Sequence, residues 1–439
     1  MTVLLDELVP PLATDEAIVE ADRCLECGGA HAPAPCVVAC PAGVDVPGFV
    51  TAVAAGDPVE AGRIVFGENL LGGSCARVCP AELLCEGACV LAHEGRRPVA
   101  VARLQRFACD EALTAGPPPR RRMPFNWLRV AVIGAGPAGL ACAGELAALG
   151  YEVTVYDERI EPGGLVRYAI APYRLEREPL PHEARLLAEL GVHLELGIAV
   201  DTAEALAEIE ADADALVLAI GMGADADVRY PGDELAGVWD SLPFIERLKT
   251  GEPPDVGDSV AVVGGGNTAI DVARESLRLG AGRVTLLYRR TREEMPAYPH
   301  EVDEAEHEGV EIEWLTVPVR LVGSERVEAV ECRRARLGKR DASGRRRPEE
   351  IPGSEFLVAA DTVVKAVGQQ PRSGFLALLP GLELADGLLV ADPETGRTAR
   401  RRTFACGDAT NGGATVVEAV RQGKIAARGI HEELKRGWA

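Results

Sequence analysis

The sequence predicts an α/β protein in which a helical, cysteine-rich segment precedes two tandem parallel-sheet units, and three observations point to it. Eight of the twelve cysteines fall between Cys24 and Cys89. From Leu128 onward, short apolar strands alternate with Ala- and Leu-rich helical stretches, the texture of a parallel sheet covered by helices. A strand, glycine turn and helix occur twice, at Arg129 to Leu149 and at Ser259 to Leu279, and each leads into a second strand, Tyr151 to Tyr156 and Arg283 to Tyr288.

The first segment, to about Asp110, carries helical patterns at Val50 to Ala61 and Val99 to Leu113. Its cysteines are spaced Cys24-x2-Cys27-x8-Cys36-x3-Cys40-Pro41 and Cys75-x3-Cys79-Pro80-x4-Cys85-x3-Cys89. In a reducing compartment such a cluster points to metal binding, and soft thiolates at this spacing suit iron-sulfur clusters. Two four-thiolate zinc sites would use the same count. The other cysteines, Cys109, Cys142, Cys332 and Cys406, are scattered and read as small buried hydrophobes. None sits two residues from Cys142 or Cys406, so the paired thiols of a disulfide reductase are absent. Gly116 to Arg122 reads as a linker, since its three prolines cannot continue a helix.

Val130 to Ile133 is a continuous apolar strand, followed by Gly134-Ala135-Gly136-Pro137-Ala138-Gly139 and a helix. In that pattern glycines make a tight turn and let backbone approach a pyrophosphate, while helix N–H groups face its charge. Asp157, 18 residues after Gly139, stands where a carboxylate accepts from ribose hydroxyls. Glu161-Pro162-Gly163-Gly164-Leu165 follows, and Thr403 to Cys406 is a strand ending in Gly407-Asp408. Gly413-Ala414-Thr415 then opens an apolar helix from Val416 to about Ile430, whose positive end favours a reduced flavin. FAD accounts for all three features. Its candidate contacts are Gly134, Gly136, Pro137, Ala138, Gly139, Asp157, Gly164, Leu165, Arg167, Gly407, Asp408 and Thr415.

The second turn reads Gly264-Gly265-Gly266-Asn267-Thr268-Ala269 after the strand Val260 to Val263. The expected acid is replaced by Tyr288-Arg289-Arg290, which cannot accept from a 2′-hydroxyl but can pair with a 2′-phosphate. NADPH is therefore favoured over NADH, with Gly264, Gly266, Asn267, Thr268, Arg289 and Arg290 as candidate contacts. Two Rossmann-like dinucleotide-binding domains follow, the FAD domain over 126–256 and 361–439 and split by the nicotinamide domain over 257–360, behind a cysteine domain over 1–125. Gly338 to Glu350 is charged and reads as a solvated hairpin loop.

Length, hydrophobic content of 47% and a net charge of -22 describe a globular protein whose acidic surface repels phosphate backbones and anionic headgroups. Nucleic-acid and membrane partners are not expected. The N-terminus lacks the basic and apolar regions of a secretory signal, and the cytoplasm is the expected location.

Several motifs together resemble the small (beta) subunit of glutamate synthase. They are Gly163-Gly164-Leu165-Val166-Arg167-Tyr168, Gly264 to Ala269, Tyr288-Arg289-Arg290, Met295-Pro296-Ala297, and Gly407-Asp408 with Thr415-Val416-Val417-Glu418-Ala419. They are equally similar to the NAD(P)H-oxidising part of dihydropyrimidine dehydrogenase and to the small subunit of its bacterial two-subunit form. The likeness runs from about Asp6 to Leu434. It implies two 4Fe-4S clusters, one held by Cys24, Cys27, Cys36 and Cys89, the other by Cys40, Cys79, Cys85 and Gln105, which leaves Cys75 a spare thiol. The eight residues between Cys27 and Cys36 exceed the family's short loop, and His31 within them is expected to be exposed.

The resemblance implies an electron-input subunit: NADPH is oxidised, hydride passes to FAD, and single electrons leave through the clusters to a partner subunit. Leu4 to Leu8, Cys75 to Cys79 and Gln105 lean toward a partner with an FMN barrel, of the dihydropyrimidine dehydrogenase type. Tyr288 to Arg290 and Met295 to Ala297 lean toward the glutamate synthase large subunit. A stand-alone NADPH:ferredoxin or bifurcating oxidoreductase is the alternative enzyme, and a redox sensor or scaffold the alternative from another class.

Overall fold

Five parallel strands, in the order Thr403–Ala405, Ala215–Leu218, Arg129–Ile133, Glu152–Asp157 and Val192–Leu196, form the first sheet. Val130, Ala131, Val132 and Ile133 are all buried, as a strand covered on both faces requires. The structure, a computed structural model, describes residues 7–29, 32–116, 121–176, 179–341 and 344–436. His31, expected to be exposed, and Leu4 to Asp6 lie outside the described residues, as does most of the expected linker.

The chain forms two compact units. One contains Leu8–Arg167, Arg177–Gly223 and Pro371–Ala439, so the cysteine segment and the first sheet share a unit. Helices Thr14–Ala21, Val46–Ala54, Pro58–Glu68, Gly72–Val78 and Val101–Ala115 carry or brace the cysteines. The single helical pattern expected at Val50 to Ala61 is broken in the structure. Gly56 takes φ +75, and the Asp57 carboxylate accepts from the Glu60 N–H at 3.0 Å, capping a new helix that starts at Pro58. A Cβ on Gly62 would lie 2.3 Å from Ala112 Cβ, so the helices Pro58–Glu68 and Val101–Ala115 approach through a glycine. The same device joins the cysteine helices to the sheet: a Cβ on Gly144, in helix Pro137–Ala148, would stand 2.1 Å from Leu70 Cδ1.

The other unit contains Tyr168–Glu176 and Ala224–Gln370. Its parallel sheet runs Val238–Asp240, Thr362–Ala366, Ser259–Gly264, Arg283–Tyr288 and Glu311–Trp314. The unit begins at Ala224, earlier than 257, because Val238–Asp240 pairs with Thr362–Ala366 and Ala224–Asp225 pairs with Gln369–Gln370. A three-stranded antiparallel sheet, Thr316–Gly323, Val327–Arg340 and Arg346–Ala359, stands beside it. The solvated loop expected at Gly338 to Glu350 is mostly ladder. Cross-strand charges extend it, with Arg333 on Glu355 at 2.9 Å and Arg336 on Glu349 at 3.1 Å. Among the described residues no helix is long and apolar enough to cross a membrane.

Candidate functional site

The first glycine turn is built so that only glycine fits. Gly134 has φ +108, and a Cβ there would lie 2.3 Å from Ala219 O; a Cβ on Gly139 would lie 1.9 Å from Gly134 O. A Cβ on Gly136, by contrast, would meet nothing within 4 Å, and Gly136 caps the helix Pro137–Ala148. An open cradle at a helix start is what a pyrophosphate needs. Gly163 N–H donates to Ala135 O at 2.7 Å, and Gly164, at φ +52, abuts Gly136 Cα, so Gly163 to Leu165 lie along the turn. Asp157 accepts from the Ala135 N–H at 2.6 Å through Oδ2 and from the Arg159 N–H at 2.8 Å through Oδ1, which fixes the turn and leaves lone pairs for ribose hydroxyls. Arg167 is buried and pairs with Glu161 at 3.0 Å.

The C-terminal motif closes on the same turn. Gly407, at φ +77, donates to Gln422 Oε1 at 2.7 Å, and a Cβ on it would stand 2.8 Å from Ala138 Cβ. Burial pushes the Asp408 carboxyl up, and its Oδ1 accepts from the Ala414 N–H at 3.2 Å. Thr415 Oγ1 accepts from the Glu418 N–H at 3.2 Å, in the first turn of the helix Val416–Arg436. The residues expected for FAD thus gather within one unit, and their open glycine cradle fits a dinucleotide.

In the other unit, Gly264 takes φ +151 with a Cβ position 2.2 Å from Ala366 O, and Gly265 lies against the Tyr288 ring. Gly266 is open and caps the helix Asn267–Arg278, with Thr268 half-buried in its first turn. Asn267 Oδ1 accepts from the Tyr298 N–H at 3.0 Å, and Ala297 N–H donates to Gly265 O at 3.1 Å, so the segment after Met295 follows the turn. The two arginines diverge. Arg290 is 3% exposed; it donates to Asp341 Oδ2 and to Arg346 O, each at 2.8 Å, and so holds the hairpin. Arg289 is exposed at the strand end.

Cys24, Cys27, Cys36 and Cys89 line one small, largely apolar pocket, with Val46, Val50 and Leu91 around them. Cys40, Cys75, Cys79 and Cys85 form a second neighbourhood, in which Cys75 and Cys79 are hydrogen-bonded. Gln105 Nε2 donates at 2.7 Å to the carbonyl of Gly72, which opens the helix bearing Cys75. Burial pushes the Cys36 thiol up to about 11 and the Cys85 thiol up to about 12, and raises Cys24 and Cys40. The bond from Cys75, then burial, does the same to Cys79. Such thiols keep their protons until a cation replaces them, the chemistry of iron loading. The backbone of Val44, Ala42 and Gly43 opposes the rise at Cys40, and the Gly43 N–H donates to the Cys40 carbonyl at 2.9 Å. Among the described residues no three His, Cys, Asp or Glu side chains close on a single-ion site.

Two features escape the sequence reading. Tyr173 donates to Asp271 Oδ1 at 2.6 Å, its N–H bonds Glu275 at 3.1 Å, and Arg174 meets Asp271 at 2.7 Å, which straps the segment Tyr168–Glu176 to the helix after the second glycine turn. Lys424, on the helix Val416–Arg436, is buried against carbonyls of the cysteine region. The signals were polar residues, Asp271 and Glu275, and a lysine at helix positions that are otherwise apolar.

The family model described as pyridine nucleotide-disulphide oxidoreductase matches residues 128–423. The chain belongs to this family. A second model, described as dihydropyrimidine dehydrogenase domain II, 4Fe-4S cluster, matches residues 3–116. The glutamate synthase [NADPH] small chain of Halomonas elongata is 35% identical over 98% of this chain and 93% of that protein, so the chain also stands in the family of glutamate synthase small chains. The NADPH-Fe(3+) oxidoreductase subunit beta of Geobacter sulfurreducens is 38% identical over 92% of this chain, which covers 64% of that protein. Mycobacterium tuberculosis FprA in complex with NADPH has the same fold, with a TM-score of 0.60 at 19% identity over 72% of this chain and 85% of that one. The expected family and fold class hold. As a pyridine nucleotide-disulphide oxidoreductase with an iron-sulfur segment, the chain is an enzyme whose cofactors are FAD, NADPH and 4Fe-4S clusters.

Proposed function

We propose that this oxidoreductase is the electron-input subunit of a two-component reductase: it oxidises NADPH and delivers single electrons to a partner subunit. The flavin supplies hydride acceptance and one-electron release, and the clusters supply one-electron carriage. The observation that carries this reading is that the thiol cavity and the flavin-type glycine turn belong to one compact unit. The chain's own groups bind and orient. Gly134, Gly136 and Gly139 with Pro137 and Ala138 cradle the FAD pyrophosphate, Asp157 takes the ribose, and Gly164, Leu165, Arg167, Gly407, Asp408 and Thr415 complete the site. Gly264, Gly266, Asn267 and Thr268 receive NADPH, with Arg289 on the 2′-phosphate and Arg290 bracing the hairpin beside it. Cys24, Cys27, Cys36 and Cys89 hold one cluster, and Cys40, Cys79, Cys85 and Gln105 the other.

Likeness to the glutamate synthase small chain supports a large-subunit partner of that kind, whereas Gln105 and the second family model support the dihydropyrimidine dehydrogenase kind. Anaerobic titration of the holoprotein with NADPH, alone and with each candidate partner, tests the reading. NADPH bleaches the flavin, and one partner then couples NADPH consumption to 2-oxoglutarate plus glutamine or to uracil. A flavin that NADPH leaves unbleached would mean a sensor or scaffold. Likeness to the NADPH-Fe(3+) oxidoreductase subunit beta favours a second reading, reduction of a ferredoxin-like acceptor, whose mark is fast ferredoxin reduction without a partner.

A further inference from the structure

We propose that Lys424 is a positioning residue that sets the reduction potential of the cluster held by Cys40, and so tunes electron passage from the flavin turn into the iron-sulfur region. The inference rests on the assignment of Cys40 as a cluster ligand.

Lys424 is 6% exposed, although a buried ammonium costs several kcal/mol unless its donors are satisfied. Here all three are. Nζ donates to Ala42 O at 2.8 Å and to Glu68 O at 2.7 Å, and pairs with Glu68 Oε2 at 3.1 Å. The lysine stands at an apolar position of its helix, three to four residues from Val420 and Ala427 and seven from Val417, all buried. A charge kept at a position where leucine would pack has been kept for what it touches.

Both ends of the connection are rigid. Beside Lys424, a Cβ on Gly423 would lie 2.2 Å from Ala138 O and 3.0 Å from Cys142 N. The helix is therefore pressed onto the first glycine turn, where Ala138 stands, and Lys424 cannot slide along it. At the far end, the accepting carbonyl of Ala42 lies two residues from Cys40, in the turn that the Gly43 N–H closes by donating to the Cys40 carbonyl at 2.9 Å. An ammonium on that carbonyl polarises the Ala42–Gly43 peptide, strengthens the Gly43 bond to the Cys40 carbonyl and so fixes the turn that carries Cys40, while its positive charge is held beside that turn. Positive charge near a ligand favours the reduced, more negative cluster. Lys424 thus raises the potential of the Cys40 cluster through its positive charge, held two residues from that ligand, and the Glu68 carboxylate, half-exposed, opposes it.

The measurement is a redox titration of the purified holoprotein followed by electron paramagnetic resonance. Cys40→Ser first identifies which cluster signal belongs to Cys40. Lys424→Met is expected to lower that midpoint and Glu68→Gln to raise it. The double variant should fall between them, Lys424→Arg should stay near the parent, and the other cluster's midpoint should not move. A purely structural tether predicts shifts of the same sign in Lys424→Met and Glu68→Gln, or no shift, and either result overturns the proposal. Should Lys424→Met lose iron, Glu68→Gln still decides, because it keeps both carbonyl contacts: an unchanged midpoint there refutes the electrostatic role. If Cys40→Ser keeps both cluster signals, the ligand assignment has failed, and the proposal falls with it.

Discussion

Replacing Glu183 by Gln should make this protein more stable in mild alkali and change little in mild acid. Glu183 lies on the helix Leu180–Glu189 and is fully buried, where Oε1 accepts from the Ser74 N–H at 2.9 Å and Oε2 from the Ser74 hydroxyl at 2.5 Å. Burial pushes its carboxyl from an ordinary 4.5 up to about 7, against the lowering effect of the Ser74 bonds and of Arg77. A folded-state value above the unfolded one means that the folded protein holds the proton more tightly. The associated stability is present below about 4.5 and is lost as pH rises through about 7. The difference of about 2.5 pH units, at about 1.36 kcal/mol each, makes the loss about 3 kcal/mol by pH 8.5. Glutamine keeps the shape, accepts from the Ser74 N–H and donates to the Ser74 oxygen, but does not titrate. At roughly 2 °C per kcal/mol, the variant should melt about 6 °C above the parent at pH 8.5 and within about 2 °C of it at pH 5. Melting curves at pH 5, 7 and 8.5, with iron content as control, measure this. Parallel profiles for the two proteins would refute the claim that Glu183 is forced to ionise in the core.

Other consequences can be checked alongside it. Arg289→Ala should raise KM for NADPH roughly 10- to 100-fold, the worth of one charged hydrogen bond to phosphate, and leave KM for NADH nearly unchanged. Arg290→Ala loses Asp341 and the Arg346 carbonyl instead, so its mark should be easier proteolysis in the hairpin Val327–Ala359. Gly423→Ala drives a methyl to within 2.2 Å of Ala138 O; a cost of about 1–3 kcal/mol should appear as a lower flavin-to-protein ratio. Gln105→Ala should perturb one cluster while Cys75→Ser leaves iron and sulfide contents unchanged, and iron loss in the Cys75 variant would reverse the ligand assignment.

What was legible in the sequence is what glycine and cysteine alone can do. Gly134, Gly139 and Gly264 sit where a Cβ would strike a carbonyl, so the two turns could be placed without a structure. The spacing of the eight cysteines from Cys24 to Cys89 likewise pointed to metal binding, whereas which of them share a cluster was implied by the resemblance alone. Periodicity misled where it ran through punctuation: apolar spacing continued past Gly56, yet Asp57 and Pro58 start a new helix there. Gly338 to Glu350 read as a solvated loop because charge was taken for loop; its side chains are largely solvated, but most of its described residues belong to two strands. Opposite each other on two strands, the same charges pair and lengthen the sheet.

The contacts that no local pattern shows are also the ones that join the parts. Ser74 meets Glu183 across 109 positions, Tyr173 meets Asp271 across 98, and Lys424 meets Ala42 across 382. Each puts a charged or polar group where the local pattern calls for an apolar one, and each is satisfied only by a partner supplied by tertiary folding. A separate cysteine domain on a loose linker would need none of them. Gly144 against Leu70, Ser74 on Glu183 and Lys424 on Ala42 instead tie the cysteine region to the flavin-type turn at three points, so the distance between them is fixed by packing. One-electron transfer between carriers requires such a fixed distance, whereas a zinc-stabilised scaffold does not. That difference favours iron-sulfur carriers over the zinc reading.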